Sequence, residues 1–299
     1  MKSRCFIVLA LALCGSLTSC KDEFLEQQPV GAYSESVLNS REGINKTLIG
    51  AYSLLNGQND GMVTAPGQLL FGSIRGGEAN KGSDLSDGAS RLEFQRFEVS
   101  TGNESTESFF AFYFDAVSRC NMVLSLLNKV EDLTSAEKTQ IASEARFLRG
   151  HYYFMLKRAY RNLPWIDENS STVLVPNTDA NGKYVDIWPQ IQADFDFARK
   201  NLLEGNRDFG RANKWAAEAY YAKTRLYMGN EGDGSGYTDA LSVLNDIMTN
   251  GKTNQMVKYG LYKDYHTNFD ADRENGSEWV WGVQHSANDG LPGVNPANA

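Results

Sequence analysis

Cys20 is the residue best placed to do chemistry. It closes the run Leu17-Thr18-Ser19-Cys20, behind the apolar stretch FIVLALALCGSL and a start that carries Lys2 and Arg4. A basic start, a short apolar region and small residues before a cut site make an export signal. The stretch is too short to span a bilayer. A cysteine directly after the small residues makes the signal that of a bacterial lipoprotein, with the Cys20 thiol as the acyl acceptor. Each buried CH₂ contributes roughly 0.8 kcal/mol, and stable anchoring takes more than one chain. Residues 1–19 read as the signal peptide, and Cys20 as the lipidated head of a membrane-anchored chain.

Other reactive patterns fail on spacing. The histidines are His151, His266 and His285, and no pair of them has the H-E-x-x-H spacing of a zinc site. GGEANKGS has glycines at phosphate-loop spacing, but Ser83 follows Gly82 where a lysine is required. Asp270 and Asp272 open like a calcium loop. Its sixth and twelfth positions then hold Asn275 and Trp281 instead of glycine and glutamate. Asp194 and Asp196 read as solvated helix residues rather than a glycosidase pair. The chain is therefore read as no enzyme, with no metal and no cofactor.

Composition narrows the partners. Asp and Glu number 37 against 29 Lys and Arg, for a net charge of −8. Loss of Lys2 and Arg4 with the signal makes it more negative still. Nucleic acid, which wants a basic face, is excluded as a partner. Cys5 and Cys14 leave with the signal and Cys20 is acylated, so Cys120 has no cysteine to pair with. The 299 residues suffice for a large core in one or two domains. No stretch after the signal reads as membrane-spanning.

Six helices carry the remaining pattern. Ile44, Leu48, Tyr52 and Leu55 recur at helical spacing after Ser40, and Gly57 stops them. Residues 58–103 are Gly-rich and read as one long functional loop. A second helix from about Ser105 aligns Phe109, Tyr113, Ala116, Cys120, Val123 and Leu127, so Cys120 is expected to be buried and inert. Thr134 and Glu137 form a capping box before the stripe Ile141, Ala145, Leu148, Tyr152, Leu156 and Ala159, which Pro164 ends. A fourth helix from about Asp186 admits Pro189 only in its first turn. Asn213 caps an Ala-rich fifth helix. The sixth, roughly 237–250, stops at Gly251. The fifth and sixth together approach the roughly 34-residue length of a tetratricopeptide repeat. EWVWGVQ (278–284) alternates like a strand. The fold class is mainly all-α, an irregular tetratricopeptide-like solenoid with long loops and the start of a mixed C-terminal region. Residues 20–38 are read as a tether, 39–255 as the helical domain and 256–299 as an incomplete C-terminal domain.

Several segments, in this order, resemble the SusD/RagB family of Bacteroidota outer-membrane nutrient-binding lipoproteins. They are GGEANKGSDLSD (76–87), YFDAVSRCNMVLSLL (113–127) with Asn121 at the family's Asn position, and EARFLRGHYYFMLKRAYRNLP (144–164). KWAAEAYYAKTRLYMGN (214–230), YTDALSVLNDIMTNG (237–251) and NGSEWVWGVQ (275–284) follow. Gly150 stands where the family often has Ala, and Arg161 where a Gly commonly precedes the Pro. The resemblance implies a helical scaffold whose C-terminal part is truncated here. It also implies an outer-membrane, surface-exposed glycan-binding lipoprotein that hands oligosaccharide to a SusC-like TonB-dependent transporter. An adaptor or lid without its own sugar site, or a peptide binder, is the alternative.

Sugar binding asks for flat apolar faces and planar polar groups. Candidates in irregular segments are Arg75, Glu78, Asn80, Lys81 and Asp84 from the Gly-rich stretch, Trp165 and Asp167 after the third helix, and Trp279 and Trp281 in the late strand. Each tryptophan has a packing role as its rival. Trp188 and Trp215, at helix starts, are read as core, and Arg146 and Arg149 as partners in internal ion pairs.

Overall fold

The computed structural model describes residues 35–57, 69–82, 84, 89–171, 174–205 and 208–284. Cys20, the signal and nearly all of the tether lie outside them. The chain forms two units, Met1–Val37 and Leu38–Ala299. Helices of the second are α1 (Arg41–Tyr52), α2 (Ala89–Arg96), α3 (Glu104–Leu127), α4 (Ser135–Tyr160), α5 (Trp188–Asn201), α6 (Lys214–Asn230) and α7 (Gly236–Asn250). From α3 onward each helix packs on the next, and α1 packs on α3 and α4. The result is the expected irregular helical solenoid. Among the described residues the only β pairing is two isolated bridges, Thr178 with Tyr184 and Lys252 with Lys258.

Helix starts follow local chemistry. The Ser40 hydroxyl accepts from the Gly43 N–H at 3.1 Å. Asn103 accepts from the N–H groups of Ser105 and Thr106. Thr134 and Glu137 close the capping box reciprocally. Asn213 accepts from the Ala216 N–H at 2.8 Å. These side chains satisfy N–H groups that a helix start leaves unpaired. Helix α4 stops at Tyr160, before Pro164. Arg161 ends it with φ 61°, in the left-handed region that favours glycine. The Lys157 ammonium donates to the Arg161 carbonyl at 2.7 Å and holds that turn.

Helix α4 is the axis of the stack. Residues 147–157 are buried without interruption, so the helix is enclosed on every side. Gly150 sits within that run because the Phe195 ring of α5 lies 3.0 Å from where a Cβ would stand. Gly236 likewise lets α7 start against the α6 backbone, where a Cβ would meet the Arg225 carbonyl oxygen at 2.5 Å. Trp188 and Trp215 are core residues, as expected. Cys120 is buried, and burial pushes its thiol up. Helix α3 is long and apolar enough to cross a membrane by length and composition, yet its Phe109–Leu127 face belongs to this core.

Enclosure forces polar groups of α4 to find partners. Arg149 donates to Asp194 of α5 through Nε and Nη2 at 2.7 and 2.8 Å, and through Nη1 to Asn121 of α3 at 2.9 Å and to Glu168. Burial opposes the Arg149 charge, but its two carboxylate partners outweigh that and raise its pKa. Asp194 is thus buried and paired, not solvated as its helix position implied; only Asp196, with Arg199 and Lys200, faces water. Arg146 makes no ion pair among the described residues and instead lies over the Phe197 ring at 4.3 Å. Glu144 accepts from Arg211 at 3.0 Å and from the Tyr52 hydroxyl at 2.8 Å, joining α4 to α1 and to the start of α6. His151 Nδ1 pairs with the Tyr220 hydroxyl at 3.0 Å.

Two sequence expectations change. The stretch 58–103 is not one loop: its described part holds a π-helical turn, Leu69–Ile74, and α2, which share a small core of Leu70, Ile74 and Phe94. Elements that short show no periodicity to read. EWVWGVQ is not a strand. No partner strand lies beside it among the described residues, and Trp281 turns into the helices, its indole N–H donating to the Gly210 carbonyl at 3.0 Å.

Two outcomes follow from these buried groups. Arg149→Ala strands the Asp194 carboxylate in the core, and urea denaturation is expected to show a loss of about 3–5 kcal/mol. Burial, then Lys223 and Arg158, lower the His151 pKa from its ordinary 6.5 to about 3. The unfolded chain therefore takes up a proton that the folded chain refuses, so stability falls as pH drops below about 6.5. Between pH 7.5 and 5 this group alone removes about 2 kcal/mol, a part of the pH dependence that His151→Phe abolishes in the same titration.

Candidate functional site

A cavity of about 250 Å³ opens where the Leu69–Ile74 turn, α2, the first turns of α3 and the end of α4 meet. Its wall is aromatic. Phe71 lies 4.9 Å from Phe94 and 4.2 Å from Phe109, and Phe109 lies 6.1 Å from Tyr160, centroid to centroid. The Tyr160 hydroxyl donates to the Thr106 carbonyl and ties the last turn of α4 to the first of α3. Arg75, just past the π-helical turn, lines one side and stands 5.3 Å over the exposed Phe97 ring. Arg158 lines the other, 5.7 Å from Phe154 and 5.8 Å from Tyr227.

Neither guanidinium has a carboxylate partner among the described residues, and no Asp or Glu lines the cavity. That distinguishes it from its rivals. A cavity of about 300 Å³ beside Tyr52 has Arg211 in its wall, already paired with Glu144 and Asp208. Another of about 280 Å³, between α3 and Pro164, is almost wholly apolar. Of these three, the first cavity combines π faces with planar donors that have no carboxylate partner among the described residues, the pairing that suits a ring bearing hydroxyl or charged groups.

The sequence candidates scatter. Arg75 lines the cavity. Glu78, Asn80, Lys81 and Asp84 lie on the following segment outside it. Asn80 accepts from the Gly82 N–H at 2.8 Å, the Lys81 ammonium donates to the Asp84 carbonyl, and the Lys81 N–H donates to Gln95 of α2 at 3.0 Å. Trp165 is elsewhere, stacked 4.4 Å from Tyr153 beneath the Arg149 guanidinium at 5.1 Å, its N–H donating to Asp167 at 3.3 Å. Trp281 packs edge-on to Phe147 at 4.9 Å and near His151 and Tyr220. Trp279 lies against Gly282. These three indoles do not join Arg75. Sequence reading missed Phe71, Phe94, Phe109, Arg158 and Tyr160. A usable signal existed in the dense aromatics of SFFAFYF and in KRAY at a helix end, but only the fold brings both to the Gly-rich stretch.

Comparison with known proteins places this architecture. Residues 23–227 match the SusD-like family described as starch-binding and associating with the outer membrane. A SusD-like protein of Bacteroides ovatus is 26% identical over 293 residues, which span 94% of this chain and 50% of that protein. Among solved structures, a SusD superfamily protein from Parabacteroides distasonis superposes with a TM-score of 0.68 at 21% identity, over 83% of this chain and 52% of that one. Surface glycan-binding protein A from Bacteroides thetaiotaomicron, in complex with laminarihexaose, gives 0.65 at 20%, over 82% and 49%. The chain spans about half the length of the relatives it matches.

The geometry separates core-packing residues from cavity-lining ones in a measurable way. Trp281→Ala empties an interhelical slot and is expected to cost about 3–5 kcal/mol in thermal or urea unfolding. Arg158→Gln, at an exposed position without an ion pair, is expected to stay within about 0.5 kcal/mol of the parent.

Proposed function

Because this chain belongs to the SusD-like family, we propose that it is a surface lipoprotein that captures a glycan and releases it unchanged to a SusC-like TonB-dependent transporter. The observation that carries the reading is the cavity at Arg75 and Arg158, an aromatic wall with planar donors that have no carboxylate partner among the described residues. Apolar ring faces stack on sugar C–H groups, and guanidinium N–H groups donate to sugar oxygens. Relatives with the same fold include one solved with laminarihexaose. No bond is broken in this reading: binding orients the sugar chain, and the scaffold presents it to the partner. The lipoprotein signal ending in Leu17-Thr18-Ser19-Cys20 supports an acylated Cys20 and residence on the outer membrane.

One observation favours an adaptor role beside the binding role. Tyr237, Leu241, Leu244 and Met248 form an exposed apolar stripe on α7, the kind of face that another protein segment covers.

Isothermal titration against a panel of oligosaccharides is expected to give heat with at least one, while chromatography of the same mixtures shows no shortened product. Cys20→Ala is expected to move the protein from the membrane fraction to the soluble fraction. Product formation, or a Cys20→Ala variant that stays membrane-bound, contradicts the corresponding half of the proposal.

A further inference from the structure

Four of the well-anchored arginines of this solenoid carry a carboxylate. Arg149 meets Asp194 and Glu168, Arg199 meets Asp196 and Glu218, Arg211 meets Glu144, and Arg225 meets Asp233 and Asp239. In a chain with eight more acids than bases, carboxylates are not scarce. Arg75 and Arg158 nonetheless face one cavity with no acid in its lining. A third cation stands close by. The Lys223 ammonium lies 5.4 Å from the Phe154 ring that Arg158 also borders, and it makes no ion pair among the described residues. Burial and the Arg158 charge both lower its pKa. Cations that share one region without a carboxylate partner among the described residues favour a ligand that supplies the anion.

A neutral sugar places a different demand on its site. Its hydroxyls donate as well as accept, so a site built for it supplies carboxylate or amide acceptors beside the donors. The cavity lining offers guanidinium donors and only hydroxyl and backbone acceptors. The net negative charge of the chain does not forbid an anion here, because fields beyond about 8 Å are screened at physiological salt. Local forks decide. A guanidinium matches a carboxylate or a sulfate with two parallel hydrogen bonds.

We infer that the glycan taken by this cavity is anionic: a uronate- or sulfate-bearing sugar whose acid group sits between Arg75 and Arg158 while its ring faces the Phe71–Phe109–Tyr160 wall. This rests on the glycan-binding reading above and narrows it to a class of ligand. The volume of about 250 Å³ suits one such unit, with the rest of the chain running across the surface.

The test is isothermal titration of the full chain with a galacturonate oligomer, a sulfated tetrasaccharide, and neutral laminarihexaose and maltohexaose. At least one acidic oligomer is expected to bind at least about tenfold more tightly than either neutral one, and which acid does so identifies carboxylate or sulfate as the recognised group. Arg75→Gln and Arg158→Gln are each expected to weaken acidic binding about tenfold and to weaken neutral binding less, so that the preference for the acidic oligomer narrows. Arg96→Gln, in the last turn of α2 and outside the cavity lining, changes neither. Melting curves of the three variants report that they remain folded. Equal or tighter binding of a neutral oligomer overturns the inference but leaves the glycan-binding reading standing, as does acidic binding that both variants retain in full. Heat with none of the four overturns the inference, and silence across the wider panel overturns the glycan-binding reading with it.

Discussion

A buried guanidinium has five donors and no accessible way to lose its charge, and Arg149 is where that constraint meets this fold. Two of its nitrogens are taken by Asp194 on α5, and the third by Asn121 on α3 and by Glu168 on the segment between α4 and α5. Asn121 in turn donates to the Ile166 carbonyl at 3.0 Å, and the Tyr153 hydroxyl holds the same residue by accepting from the Ile166 N–H at 2.7 Å. Trp165 closes the cluster by lying flat against Tyr153. One side chain thereby sets the spacing of three helices and the path of the chain leaving α4. Any shift of α5 along α4 would leave a charge unpaired in the core, so the register of the stack is specified by more than apolar packing.

The same device recurs toward the end of the chain in weaker form. Arg199 meets Glu218 between α5 and α6, and Arg225 meets Asp239 between α6 and α7. Small residues do the complementary work. Gly150 admits the Phe195 ring, and Gly236 admits the α6 backbone, so helices close to contact where the ion pairs align them. Against this pattern the cavity at the end of α4 stands out. Arg158 is about three turns of helix beyond Arg146, on the same central element, yet it leaves the core where α4 ends and meets no acid among the described residues. The rigidity that Arg149 imposes on α4 is what holds the Arg158 and Tyr160 side of the cavity in place, while the shorter elements around Leu69–Ile74 and α2 carry the other side on a small core of their own.

Much of the scaffold was legible in the sequence because its signals are local. The Thr134–Glu137 box, the Asn213 cap and the stripes at helical spacing act within four residues, and each appears in the structure where the spacing put it. The burial of Trp188, Trp215 and Cys120 followed from the same stripes. Legibility failed where an element was too short or depended on a distant partner. The π-helical turn and α2 are too brief to show a period. Asp194 has the spacing of a surface residue and is buried only because Arg149, 45 residues earlier, needs it. EWVWGVQ has the alternation of a strand but no strand to pair with, and its Trp281 fills a slot beside Phe147 instead.

The sequence by itself determined the number and extent of the long helices, their order as a stack, and the family to which that order points. Those properties arise from neighbours a few bonds apart, where backbone geometry converts spacing directly into position. Tertiary structure decided which charges are buried and which are left unpaired, and it alone carried Arg75 and Arg158 to the same cavity. That outcome depends on how α4 and the elements around Leu69–Ile74 pack across more than eighty residues of chain. Packing is selected by the summed satisfaction of all buried groups at once, a quantity no short window of residues contains.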